Sequence, residues 1–131
     1  MTQDVPPATI APQPLSQSDE RLWATLIHVG GILIGFISPL IGYLVLKDRS
    51  TFVREHSRTA LNFQITMAIA QLANIVLGII LGIVTFGLWL VVQWLISIAI
   101  WVVTVIFSII AAIAANKGEM YKYPLSIQFI K

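Results

Sequence analysis

The chain contains no cysteine, so neither a disulfide framework nor a thiolate metal site can form. Charge is also scarce, at 11% of residues against about 25% in a typical globular protein. Between Thr59 and Asn116 there is no Asp, Glu, Lys or Arg at all. A soluble domain of 131 residues cannot bury such a run, so this absence indicates an integral membrane protein.

The charge-free run is too long for one membrane crossing. As a single helix it would be about 87 Å long, nearly three times the ~30 Å hydrocarbon core of a bilayer. The run must therefore fold back, with a turn near Thr85. A further apolar run precedes it, and there Pro39 is expected to kink the helix after Ser38. We predict an all-α polytopic membrane protein with three transmembrane helices at about 20–46, 60–82 and 89–115.

The rest of the chain falls into two kinds of segment. Residues 1–18 are rich in proline and polar residues, and we predict a disordered tail there. Residues 19–131 then form a single helical membrane domain, in which 47–58 is an amphipathic loop. Ser18 is the expected N-cap of the first helix, and Ser50 could cap a helix that begins at Thr51.

Orientation follows from the placement of basic residues. Every Lys and Arg except Arg21 lies in the loop 47–58 or in the segment from Lys117 onward. The positive-inside rule favours an arrangement with three spans in which both segments are cytoplasmic. This predicts a multi-pass protein of the cell (inner) membrane with its N-terminus outside and its C-terminus inside.

Small and polar residues recur at helical spacing in each predicted span, and such residues allow close helix approach and interhelical hydrogen bonds. The glutamines and asparagines either bond across helices or line a polar path. His28 is either a packed neutral side chain or a functional group. The candidate packing and polar residues are His28, Gly31, Gly35, Pro39, Asn62, Gln64, Gln71, Asn74, Gly78, Gly82, Gln93 and Ser97.

Asn62 and Gln64 lie just inside the second predicted span. We expect their amides to satisfy backbone carbonyls that Pro39 leaves free in the first helix. The basic loop either binds anionic lipid headgroups or only sets the topology. Its candidate headgroup residues are Lys47, Arg49, Arg54 and Arg58.

No catalytic constellation, phosphate loop or metal-binding motif is present in the sequence. The acidic residues all lie outside the predicted spans, and only two histidines occur. We therefore expect no enzyme activity, no cofactor, no metal site and no nucleic-acid partner. The expected partners are the lipid bilayer and a second copy of the chain or another membrane protein.

Two stretches resemble a known family. One is Glu55-His56 followed by Ala60-Leu61-Asn62-Phe63-Gln64, and the other is Lys117-Gly118-Glu119 followed by Tyr123-Pro124. Together with His28, Gly31 and Pro39, they resemble small bacterial membrane proteins of the domain-of-unknown-function family four-eight-seven-zero, grouped with Tic-twenty-like proteins. The resemblance implies a helical membrane fold and a membrane location.

These observations favour a non-enzymatic function. We expect a small membrane subunit or scaffold that associates through its helices. The alternative is an oligomeric transport or protein-translocation channel component of the Tic-twenty-like type. Three spans enclose too little space for a pore, so this alternative requires oligomers.

Overall fold

The fold is known from a computed structural model, which describes residues 13–131. Within that range the chain forms four α-helices and no strand. The all-α prediction is therefore confirmed for the described part of the chain. The helices are α1 (Gln17–Ile34), α2 (Ile37–Leu46), α3 (Thr51–Val84) and α4 (Trp89–Asn116).

Helix α1 begins earlier than the sequence predicted. Its N-cap is Ser16, whose hydroxyl accepts a hydrogen bond from the Asp19 backbone N–H at 3.1 Å, whereas Ser18 lies inside the helix. Asp19 and Glu20 then occupy the first turn, where the helix dipole favours acidic side chains. Of the predicted disordered tail, residues 1–12 lie outside the described residues. The predicted tail extends too far, because residues 17 and 18 belong to α1.

The predicted single helix over 20–46 is wrong, because the chain breaks after Ile34. Gly35 adopts φ +63° and ψ −138°, a conformation essentially limited to glycine. Pro39 is not the cause of the break. It lies in the first turn of α2, where its missing N–H would have had no helical partner.

Helix α2 folds back along α1 to form an antiparallel pair, which we call the α1–α2 hairpin. The Ser38 hydroxyl donates to the Ile27 carbonyl at 2.9 Å. At the open end, the Leu15 N–H donates to the Arg49 carbonyl at 3.0 Å. The two ends of the hairpin are therefore adjacent in space.

Helices α3 and α4 are the two described helices that are long and apolar enough to cross a membrane. Ser50 caps α3 by accepting from the Val53 N–H at 3.1 Å, as the sequence suggested. The predicted amphipathic loop 47–58 is therefore mostly the start of α3. Phe86 and Gly87 have positive φ in the turn to α4, which lies where it was predicted.

The α1–α2 hairpin covers only part of α3 and α4. At its tip, Gly35 and Phe36 line a groove together with Gln71 and Ser97. Beyond that level, the residues of α3 up to Val84 extend for about 20 Å at the helical rise. The tip therefore stops midway along the long helices.

One buried core joins α1, the first half of α3, the second half of α4 and the C-terminal segment. Its centre includes Ile27, Val53, Phe63, Ala111 and Tyr123. The C-terminal segment, residues 119–131, has no regular helix or strand and returns along α3. The core therefore lies at the end of the molecule where the loop and the C-terminal segment meet.

The three-span count and the predicted orientation are not confirmed. Helix α2 has 10 residues and is about 15 Å long, half the thickness of the hydrocarbon core. The structure supports two candidate membrane-spanning helices.

Candidate functional site

Two histidines and a tyrosine form a buried hydrogen-bonded cluster where α1, α3 and the C-terminal segment meet. His28 Nδ1 lies 2.6 Å from the Tyr123 hydroxyl, and His28 Nε2 lies 2.8 Å from His56 Nδ1. His56 Nε2 lies 2.9 Å from the Glu119 carbonyl oxygen. We call His28, His56 and Tyr123 the His–His–Tyr cluster.

With both imidazole rings neutral, the proton positions of this cluster follow from its last acceptor. A carbonyl oxygen only accepts, so His56 Nε2 donates to Glu119 and His56 Nδ1 is left as an acceptor. His28 Nε2 must then donate to His56, and His28 Nδ1 accepts from the Tyr123 hydroxyl. The chain of hydrogen bonds runs in one direction and satisfies every ring nitrogen.

Aromatic side chains enclose the cluster. The Phe63 ring stacks on Tyr123 with centroids 4.2 Å apart, and Phe52 packs edge-on against His56 at 4.5 Å. Burial raises the pKa of the Tyr123 hydroxyl above its ordinary value. Tyr123 therefore keeps its proton across the physiological range and continues to donate to His28.

This arrangement forms a structural tie within the core. All four imidazole nitrogens already take part in hydrogen bonds within the protein. Within residues 13–131, no group of three or more His, Cys, Asp and Glu side chains is placed to hold a metal ion. The cluster instead connects α1, α3 and the C-terminal segment.

Sequence reasoning found His28 but missed both of its partners. His56 and Tyr123 entered it only within the two stretches that resemble a known family. Tyr123 lies 95 residues from His28, so no helical spacing relates the two. They could have been sought by their chemistry, because a buried histidine in a span requires a polar partner.

A second polar group lies between α3 and α4. The Gln71 amide donates to the Ser97 hydroxyl at 2.9 Å. The Asn74 amide donates to the same hydroxyl at 3.0 Å and to the Gln93 carbonyl at 3.2 Å. Here the side chains bond across helices, which was one of the two alternatives for these residues.

The predicted glycines have different roles. A Cβ at Gly31 would lie 2.6 Å from Gln64 Nε2, and a Cβ at Gly78 would overlap the Gln93 side chain. A Cβ at Gly82 would lie 3.4 Å from the nearest Leu90 atom, which is an ordinary van der Waals contact. A Cβ at Gly35 would have no atom within 4 Å, so the role of this glycine is its positive φ. A side chain at either of the first two positions would therefore displace a glutamine of the facing surface.

Asn62 does not bond near Pro39, so that expectation is wrong. Its Nδ2 donates to the Ile130 carbonyl at 2.9 Å, and its Oδ1 accepts from the Ile130 N–H at 2.8 Å. Thr66 adds a third contact by accepting from the Ile127 N–H at 2.9 Å. Asn62 and Thr66 thus hold the C-terminal segment against α3.

The four candidate headgroup residues have different partners within the protein. The Lys47 Nζ lies 5.4 Å from the centroid of the Tyr43 ring. The Arg49 Nε donates to the Gln13 carbonyl at 2.8 Å. Arg54 and Arg58 lie on α3, where both approach the Glu55 carboxylate.

Comparison with known proteins corrects the resemblance drawn from the sequence. Residues 19–130 match the sequence model of the magnetosome magnetite crystal formation protein family. The assignment to the domain-of-unknown-function family and to Tic-twenty-like proteins is therefore wrong, and the channel alternative of that type is not supported. No curated protein and no solved structure matches the chain.

Proposed function

The chain belongs to the magnetosome magnetite crystal formation protein family, and on that premise we propose that it is a non-enzymatic protein of the magnetosome membrane. In this role it supports magnetite crystal formation as a structural subunit. The observation that carries the proposal is the family match over nearly the whole described chain. The two long apolar helices are consistent with it.

A topology with two crossings fits the contacts best. Helices α3 and α4 cross the bilayer, and the α1–α2 hairpin enters it from one side and returns. The Leu15–Arg49 hydrogen bond requires both ends of the hairpin to lie on that side. Ser50 also donates to the Glu20 carboxylate at 2.8 Å, which joins the same two ends.

In this topology all Lys and Arg residues lie on one side of the membrane. Arg21, the exception to the arrangement with three spans, now joins the others at the open end of the hairpin. The turn around Phe86 has no charge and lies on the opposite side. The positive-inside rule then makes the side with the C-terminal segment cytoplasmic.

The proposed partners are the bilayer and another membrane protein or a second copy of the chain. Large apolar side chains cover the far halves of α3 and α4, among them Ile83, which is 75% exposed. Such surfaces contact lipid or a neighbouring helix in a membrane. We propose neither a cofactor nor a nucleic-acid partner.

Deletion and complementation in a bacterium that forms magnetite test this function. Deletion of the gene should reduce crystal size or number in electron micrographs, and the wild-type gene should restore both. A variant with His28→Leu and His56→Leu should fail to restore them, because the hairpin loses its tie to α3. The control Ile79→Leu, at an exposed position, should restore them. Normal crystals in the deletion strain would contradict the proposal.

A further inference from the structure

A small polar cavity lies between the first half of α3 and the C-terminal segment. Its volume is about 230 Å³, below the range of pockets for drug-sized ligands. It therefore suits a small polar group. The lining residues are Arg58, Thr59, Asn62, Lys122, Tyr123, Ser126 and Gln128.

The cavity has an excess of positive charge. Arg58 and Lys122 both line it, and among the described residues no carboxylate does. The Glu55 carboxylate outside the cavity is shared, since it contacts Arg58 and also lies 3.8 Å from Arg54. One carboxylate therefore faces two guanidinium groups, and Lys122 adds a further positive charge.

Arg58 retains an unused donor. Its Nε is buried and makes no hydrogen bond within residues 13–131, although a second nitrogen of the same guanidinium contacts Glu55. A buried donor without an acceptor is unfavourable, and an anion bound at the Arg58 guanidinium would offset part of that cost. The Arg58 guanidinium therefore keeps hydrogen-bonding capacity beyond its contact with Glu55.

Three other polar side chains in the wall already have partners within the protein. The Asn62 amide bonds to Ile130, and the Thr59 hydroxyl donates to the His56 carbonyl at 3.1 Å. The Tyr123 hydroxyl belongs to the His–His–Tyr cluster. These internal bonds fix part of the wall between α3 and the C-terminal segment.

The cavity lies at the depth of lipid headgroups. Arg58 is the last charged residue before the charge-free run that begins at Thr59. Because the hydrocarbon core begins with such a run, Arg58 marks the membrane surface. Basic pockets on the cytoplasmic side of membrane helices are a known type of site for anionic headgroups.

We propose that this cavity binds a phosphate group, held by Arg58 and Lys122 and supplied by an anionic lipid headgroup or by free phosphate. The bound phosphate joins α3 to the C-terminal segment, because each contributes one of the two cations. The site does not depend on the proposed role in crystal formation, since it requires only that α3 enters a membrane at Thr59.

Calorimetric titration of the purified full chain in a non-ionic detergent tests this site. Three probes are short-chain phosphatidylglycerol, short-chain phosphatidylcholine and inorganic phosphate. Phosphatidylglycerol should bind the wild type more tightly than phosphatidylcholine. The double variant Arg58→Gln/Lys122→Gln should bind it at least about tenfold more weakly, since each lost charge-assisted hydrogen bond corresponds to about that factor.

A matched double variant separates a site from general surface charge. Arg54→Gln/Lys117→Gln removes the same charge outside the cavity and should bind as the wild type does. If the wild type binds phosphatidylglycerol but not inorganic phosphate, the ligand is a lipid headgroup. If it binds both, free phosphate is also a ligand.

An equal loss of affinity for phosphatidylglycerol in the two double variants, or no loss in either, would overturn the proposal. If Arg58→Gln/Lys122→Gln does not fold, Ser126→Asp places a carboxylate at the cavity wall and should abolish binding; unchanged binding would again overturn it.

Discussion

His28 Nε2 and His56 Nδ1 lie 2.8 Å apart in the buried core, although the two residues are 28 positions apart along the chain. The bond joins α1 to α3, and the Tyr123 hydroxyl extends it to the C-terminal segment. Each bond is modest by itself, but a buried polar group that loses its partner is costly. The His–His–Tyr cluster should therefore stabilise the hairpin against α3.

Tyr123→Phe should lower the free energy of unfolding by about 1–3 kcal/mol, because the buried Nδ1 of His28 loses its donor. Unfolding by sodium dodecyl sulfate in mixed micelles, followed by circular dichroism, measures the change. Tyr121→Phe is the control, since it removes a hydroxyl from the neighbouring half-buried ring. Equal stability of the two variants would show that the hydrogen bond to His28 contributes nothing.

Stability should fall at alkaline pH because of the same tyrosine. Burial raises the pKa of Tyr123 in the folded state, whereas the unfolded chain has the ordinary value of about 10. Above that pH the unfolded state releases a proton that the folded state retains, so unfolding becomes more favourable. The loss should be smaller in Tyr123→Phe than in the wild type. Parallel pH profiles above pH ~10 would contradict this account.

Asn62→Asp should release the C-terminal segment from α3. The change keeps the size of the side chain but replaces the Nδ2 donor by an oxygen that faces the Ile130 carbonyl. Amide hydrogen exchange, read by mass spectrometry, should increase by about tenfold over residues 125–131, as expected for the loss of a bond worth ~1.4 kcal/mol. Asn74→Asp is the control, because Asn74 bonds to α4 instead. Unchanged exchange in Asn62→Asp would mean that other contacts hold the segment.

Gly78→Leu should separate α3 from α4 in their far halves. A side chain at Gly78 would collide with Gln93, and the Asn74 bonds one turn away would lengthen. We expect a loss of about 1–3 kcal/mol in unfolding free energy, typical of overpacking. The control Ile79→Leu changes a neighbouring exposed residue and should leave stability unchanged. If the two variants have the same free energy of unfolding, this face of α3 is not a packing interface.

The long helices could be predicted from the sequence, but the hairpin could not. A charge-free run that is too long for one crossing leaves few alternatives, and the turn near Thr85 follows from its length. The sequence offers two residues, Gly35 and Pro39, at which the helix of the first apolar run could end. Either residue can interrupt a helix, and only tertiary contacts such as Ser38–Ile27 show which one does.

The candidate site was only partly predictable for a related reason. Residues within one helix share a face through the helical period, which is why Gly31 and Gly78 were found. His56, Tyr123 and Ile130 enter the site from separate segments, and no local pattern records their proximity to His28 or Asn62. The C-terminal segment has no regular structure, so its register against α3 follows from individual hydrogen bonds alone.

The central claim is that the α1–α2 hairpin enters the membrane and returns on the same side. Because the chain has no native cysteine, single cysteines can report on each side separately. Suitable exposed positions are Gln13→Cys before the hairpin, Asp48→Cys after it and Phe86→Cys in the far turn.

A membrane-impermeant maleimide applied to intact spheroplasts of an expressing bacterium, and again after lysis, tests the claim directly. We predict that Phe86→Cys reacts in intact spheroplasts, whereas Gln13→Cys and Asp48→Cys react only after lysis. Reaction of Gln13→Cys in intact spheroplasts, with Asp48→Cys still protected, would show that residues 17–46 cross the membrane and would contradict the re-entrant hairpin.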